Sequence, residues 1–313
     1  MLTLVLKRLL SGLIVLAAVA CITFILLYIG SGNVARNILG DQATDEQVTA
    51  KAAELGLDQP LFGQLLNWWA NAVQGDFGTS WFTNQPVVPS LLDRLPVTLV
   101  MVIVSILLIA ILATVLGVTA AVKRGWVDRL VQILAIIGNA VPGFIIGVFL
   151  VYVLALQLGG FPAISKTAPG AGLDVWAVSL ALPIIALVIN GVASAAQQIR
   201  SAFIKQLELD YVRTLRSRGI PEREILFKHV LRASAPAGLT VLSLQFISLL
   251  GGVVVIETIF AINGMGRLAV DATTRSDAPV VMGVVVYTVV IVVIVNTLVD
   301  IANGWLNPKV RVS

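Results

Sequence analysis

One stretch is dense in side chains able to do polar chemistry. From Leu207 to Pro236 the chain reads LELDYVRTLRSRGIPEREILFKHVLRASAP. It carries Asp210, Arg213, Arg216, Arg218, Glu222, Glu224, Lys228, Arg232 and His229, the single histidine. These types do not make a hydrolytic centre. The chain has no GxxxxGK[ST] phosphate loop, no HExxH, no Cys/His cluster and no GxSxG, so it shows no means of cleaving ATP or holding zinc by itself. Asp76-Phe77-Gly78 matches a kinase tripeptide but lacks every companion motif that would give it meaning. The chemistry on offer is recognition through charge and shape.

The local pattern in this stretch predicts two short helices with an elbow between them. Leu207–Arg218 forms the first, and Gly219 takes the left-handed conformation that ends it. Pro221 opens the second. Glu222 and Glu224 match its positive end, and Lys228, His229 and Arg232 its negative end. Leu226, Phe227, Val230 and Leu231 supply an apolar face. Such an elbow is suited to touch a cytoplasmic partner; the competing role is an amphipathic segment held on anionic lipid by its arginines.

The elements that position this stretch follow from composition. Of 313 residues, 58% are hydrophobic and 12% charged, with a mean hydropathy of +0.96. A soluble domain carries about 25% charged residues, so the chain is expected to be an all-α integral membrane protein. About 20 mainly apolar residues span a bilayer, and six runs qualify: Leu9–Ile29, Val97–Val122, Leu130–Leu158, Trp176–Ala196, Pro236–Ile256 and Val280–Ala302. They are continuously apolar, without the alternation of a membrane barrel. Lys7 and Arg8 before the first run resemble the start of a signal peptide, but the run is longer than a signal core of about 7–15 residues. With the N-terminus inside, fifteen of the 21 Lys and Arg fall on inner segments and six on outer ones. Both termini are therefore expected in the cytoplasm. Lone Cys21 has no partner for an internal disulfide.

Two segments exceed a simple connector: the outer 30–96 and the inner 197–235. The division read from the chain is 1–29, the N-terminal tail and first span; 30–96, a helical external insertion; and 97–313, a five-helix core that includes the inner loop. In the insertion, Thr44 and Gln47 form a capping-box pattern, and Gly56 is placed to end that helix. A second helix is expected from Pro60 to Ala72, with Trp68 and Trp69 at the membrane boundary. The insertion is either a cap on the membrane part or a docking surface for an external partner.

The spans hold few charges. Glu257 and Asp300 approach span ends, which disfavours an ion-coupled carrier. A channel without ATP coupling would have no use for the elbow. Polar and helix-breaking residues within the spans either line a path or join helices; Asn139, Pro142, Asn190, Gln245 and Glu257 are the candidates for a path.

DYVRTLRSRGIPEREILFKHVLR resembles the coupling loop of ABC-importer permeases, the EAA loop. More narrowly it resembles that of the first permease of the dipeptide/oligopeptide/nickel family, where DYVRTARAKG is usual. ELGLDQPLFGQLLNWW, GDFGTSW, RLPVTLVM and GGVVVIETIFAINGMGRLAVDA extend the resemblance over nearly the whole chain. It implies a transmembrane permease subunit, not an enzyme, in the bacterial or archaeal cytoplasmic membrane. It also implies four kinds of neighbour: a second homologous permease, two cytoplasmic ATPase domains carrying ATP and Mg, an external solute-binding protein, and lipid. No nucleic acid and no cofactor of the chain's own are implied. Asp210, Tyr211, Val212, Arg213, Thr214, Leu215, Arg216, Arg218, Gly219, Pro221 and Glu222 would meet the ATPase, with Tyr211 and Leu215 as apolar anchors inside a rim of arginines. Peptides are the expected cargo; nickel chelates, glutathione and short oligosaccharides are the alternatives. Leu215, Pro221, Asn263, Met265 and the run 30–33 depart from the usual pattern.

Overall fold

The computed structural model describes residues 2–30, 34–167 and 171–306. Ser31, Gly32, Asn33, Lys309 and Arg311, which entered the sequence reading, lie outside the described residues. Among the described residues the regular secondary structure is helical, apart from one isolated antiparallel bridge between Thr79 and Pro86. In chain order the helices are α1 (Leu2–Gly30), α2 (Val34–Leu39), α3 (Asp45–Glu54), α4 (Leu61–Ala72), α5 (Val87–Lys123), α6 (Gly125–Ala140) and α7 (Gly143–Leu150). Then come α8 (Leu173–Leu207), α9 (Asp210–Ser217), α10 (Glu222–Glu224), α11 (Leu231–Ile259), α12 (Met265–Arg275) and α13 (Ala278–Leu306). Stretches of wider i→i+5 helix, Val151–Gln157 and Ile225–Val230, follow α7 and join α10 to α11.

Five helices are long and apolar enough to cross a membrane: α1, α5, α8, α13 and the continuous run Glu222–Ile259. The pair Gly125–Ala140 and Gly143–Gln157, bent by 89°, makes a sixth candidate if it crosses as one broken span rather than re-entering. The sequence predicts one unbroken span over Leu130–Leu158. Pro142 breaks it, because proline has no N–H and forces the residue before it out of the helical region. Val141 accordingly sits at φ −91°, ψ 116°. The fifth span also differs from expectation. It does not begin at Pro236 but runs through it, and the second elbow helix is its first part.

The chain gathers into two compact units. One comprises Leu6–Thr98 with Asn263–Ile294. Its core joins Val87 and Leu91 of α5 to Met265 and Ala272 of α12 and Val280, Val281 and Val284 of α13. The insertion helices form as their sequence requires. Thr44 accepts from the Gln47 N–H at 3.3 Å, the Gln47 side chain accepts from the Thr44 N–H at 3.0 Å, and α4 starts after Pro60. Asp277 is buried; its carboxylate accepts from the Ser80 hydroxyl at 2.5 Å and the Trp81 N–H at 3.2 Å, and its own N–H donates to Ala272 O at 2.8 Å. A buried carboxylate is tolerable only with such donors.

The other unit is built on Leu99–Ile262 and 295–306. Its centre is α8, which packs against α6, α7 and α11. A Cβ on Gly138 of α6 would lie 2.7 Å from the Ala193 Cβ of α8, so only glycine permits that approach.

Candidate functional site: the elbow 207–236 and a membrane cavity

The elbow is shaped by a Schellman motif. α9 ends at Ser217; the Gly219 N–H donates to Arg216 O at 3.0 Å and the Ile220 N–H to Leu215 O at 3.3 Å. Gly219 takes φ +73°, as the sequence predicts. The pairing of Ile220 with Leu215 is the apolar contact that accompanies such a motif, and both pack on one cluster. That cluster consists of buried Ala121, Phe203, Val212, Ile225 and Val230. It roots the elbow in the membrane unit. Arg216 spans the turn to Glu222 with two bonds, Nε at 3.0 Å and Nη2 at 2.6 Å. Both side chains are about half exposed, so the pair orients the turn more than it stabilises it.

The predicted contact residues divide into two sets. Asp210, Arg213, Thr214, Arg216, Arg218, Gly219, Pro221 and Glu222 are exposed. Val212 is buried, and Tyr211 and Leu215 pack inward against the chain's own cluster. Burial pushes the Tyr211 phenol above its usual range, and its hydroxyl lies 3.4 Å from Gln206 Oε1. The most exposed large apolar side chain of the elbow is instead Phe227, at 60%, beside Pro221, Arg223 and Glu224 around an open hollow. The sequence places Phe227 on the apolar face with Leu226 and Val230. The i→i+5 turn overrules that: it brings residues five apart to one side, so Ile225 and Val230 are buried together and Phe227 is turned out. No 3.6-residue periodicity contains that signal.

Within the membrane part, two of the five path candidates meet. Asn190 of α8 and Gln245 of α11 line a cavity with Gly143, Phe144, Ser248 and Val255. Pro142 lies at its edge through the adjacent Gly143, and Asn139 is exposed elsewhere on α6. Glu257 is fully buried near the end of α11 and does not line the cavity. Asn190 has a second task. Its Nδ2 donates to Gly138 O at 3.1 Å and Val141 O at 3.4 Å, carbonyls that the break at Pro142 leaves without helical partners.

An ion pair was not anticipated from the sequence. Arg200 of α8 binds Asp128 of α6 through both Nε and Nη2, the latter at 2.6 Å. Both side chains are largely enclosed, at 21% and 14% exposure. Seventy-two residues separate the partners, and no local pattern links them. Among the described residues no group of three or more His, Cys, Asp or Glu is placed to hold a metal ion.

Residues 113–312 match the family model described as "Binding-protein-dependent transport system inner membrane component", and residues 1–102 match the N-terminal model of such membrane components. The chain is 35% identical over 308 residues to a probable peptide ABC transporter permease protein of Sinorhizobium fredii, covering 98% of each. It is 36% identical over 312 residues to a putative peptide transport system permease protein of Brucella abortus, covering 99% of each. It is 35% identical over 312 residues to the glutathione transport system permease protein of Escherichia coli, again over 99% of each. In fold it is similar to a chain of the inward-facing MetNI methionine ABC transporter, with a TM-score of 0.56 at 17% identity over 69% of this chain and 96% of that one. With its helical spans, its rooted elbow and both family models matched in order, the chain belongs to the binding-protein-dependent transport system inner membrane components.

Proposed function

We propose that this permease imports peptides, small ones of the size of glutathione included, along a path that a second, related permease completes. Paired cytoplasmic ATPases seat on the elbow 207–236, and an external binding protein delivers the cargo. Both termini lie in the cytoplasm, and 30–96 is the external insertion beside a five-helix core. The observation that carries this is the elbow. Its apolar residues are anchored in the chain's own core, while Arg213, Arg216, Arg218, Pro221 and Phe227 are presented outward. A rigid, charged and apolar surface of this kind transmits displacement from a partner to α8 and α11, which flank it. The relatives named for peptide and glutathione transport, each covered over nearly its full length, support the cargo class. The cavity lined by Asn190, Gln245 and Ser248 is apolar with a few amide and hydroxyl groups, which suits passage of a peptide without binding it tightly.

ATP acts by favouring one arrangement of the assembly over the other. The test is ATP hydrolysis by the purified complex in lipid, with binding proteins loaded with dipeptide, longer peptide or glutathione. Stimulation by one loaded protein is the expected result and names the cargo. Absence of a co-purifying ATPase overturns the proposal, and stimulation only by a non-peptide ligand overturns the cargo.

A further inference from the structure

The unit that contains the insertion holds a second pocket, which the transport reading does not use. Phe24 and Tyr28 in the last turns of α1, Gln64 and Trp68 of α4, Trp81, and Met282 in the first turns of α13 surround it. No charged side chain lines it. The ends of two membrane spans form it, one closing and one opening, which sets it at the membrane–water boundary, where tryptophan and tyrosine belong. Trp68 is the hub of its aromatic wall, with ring centroids 6.3 Å from Phe24, 5.1 Å from Trp69 and 6.2 Å from Phe77. Yet its Nε1 is enclosed without a hydrogen-bond partner among the described residues. An enclosed donor left in that state is costly, and native proteins normally give it an acceptor.

We infer that this pocket binds one acyl chain of an outer-leaflet glycerophospholipid, with the ester carbonyl of that chain accepting from the Trp68 indole N–H. Three observations choose this occupant. The lining takes hydrocarbon and offers nothing to a charged or peptide-like ligand beyond Gln64, Tyr28 and the indole. The flank of α1 beside the pocket is apolar and open, Leu26 at 65% and Ile29 at 73% exposure, so the surface that lipid tails wet runs up to it. The ester groups of a bilayer lie at the boundary depth, where the enclosed indole lacks an acceptor. A lipid so held would tie α4 of the insertion to α1 and α13.

The experiment uses the assembled transporter in nanodiscs containing a phospholipid with a photoactivatable group in its acyl chain. Crosslinks are mapped by mass spectrometry and scaled to those on Leu9, Leu10 and Leu13, which are exposed on α1. Labelling of the Phe24 and Trp68 peptides several-fold above that reference is expected. Ala278→Phe, which fills the pocket, should return it to the reference level. Trp68→Phe keeps the shape and removes the donor, so an ester-linked probe should lose about three- to tenfold of its labelling while an ether-linked one changes little, the weight of one hydrogen bond. Labelling equal to the reference, or unaffected by Ala278→Phe, overturns the site. An unchanged ester-to-ether ratio in Trp68→Phe overturns the assigned acceptor even if Ala278→Phe fails to assemble. Displacement of the probe by a binding protein would show a protein occupant and overturn the lipid.

Discussion

At the scale of single residues, Gly219 carries the most testable geometry. Its φ of +73° and its N–H bond to Arg216 O are both denied to proline. Gly219→Pro should therefore abolish uptake while the protein still inserts and reaches normal levels; full uptake in a well-expressed variant would refute the role of the elbow. Gly219→Ala keeps the N–H and meets only the left-handed penalty of about 1 kcal/mol, so it should retain most activity. Asn190 makes a second residue-scale case. Asn190→Ala leaves two carbonyls at the Pro142 break without their donor, and about 1–3 kcal/mol of stability should be lost. Asn190→Asp has nearly the same shape but turns an acceptor toward two acceptors, so it should melt lower than the alanine variant in detergent. The reverse order would mean that Asn190 serves the path alone.

At the scale of elements, the question is what holds α6 and α8 together across the bend. The Asp128–Arg200 pair does so with fork geometry in a partly enclosed place. Asp128→Asn should cost about 1–3 kcal/mol, between the limits for exposed and buried pairs. The exchange Asp128→Arg with Arg200→Asp should recover part of that loss in thermal unfolding, and a double variant no better than the worse single one would argue against a direct pair. The helices themselves were legible one by one. The capping box at Thr44, the stop at Gly56 and the start after Pro60 are local chemistry, and the structure has all three. Pro142 is visible as a helix breaker, but the size of the bend is not, because apolar residues continue on both sides and hydropathy does not register a missing N–H. The merging of the second elbow helix with the fifth span was hidden for the opposite reason: Pro236 invites a boundary, and the helix continues past it.

At the scale of the whole molecule, the distribution of charge makes a prediction about sidedness. With Cys21 replaced by serine, a cysteine at Ser217 should react with an impermeant thiol reagent only after the membrane is opened, and one at exposed Ala53 should react in intact spheroplasts. The opposite pattern would invert the topology. The chain by itself determined that it is a helical membrane protein and that the stretch 207–236 turns at Gly219. Each of these depends on composition, on a run of neighbouring residues or on one backbone angle, all of which are written locally. It did not determine which face of the elbow looks outward, since Phe227 and the pair Ile225 and Val230 are sorted by an i→i+5 turn that only packing against Phe203 and Ala121 selects. Nor did it reveal that Asn190 serves the Pro142 break, that Arg200 finds Asp128, or that the ends of α1 and α13 close around Trp68. Those pairings join residues tens to hundreds of positions apart. They exist because burying a polar group or an aromatic ring demands a partner, and the tertiary structure alone decides which distant side chain supplies it.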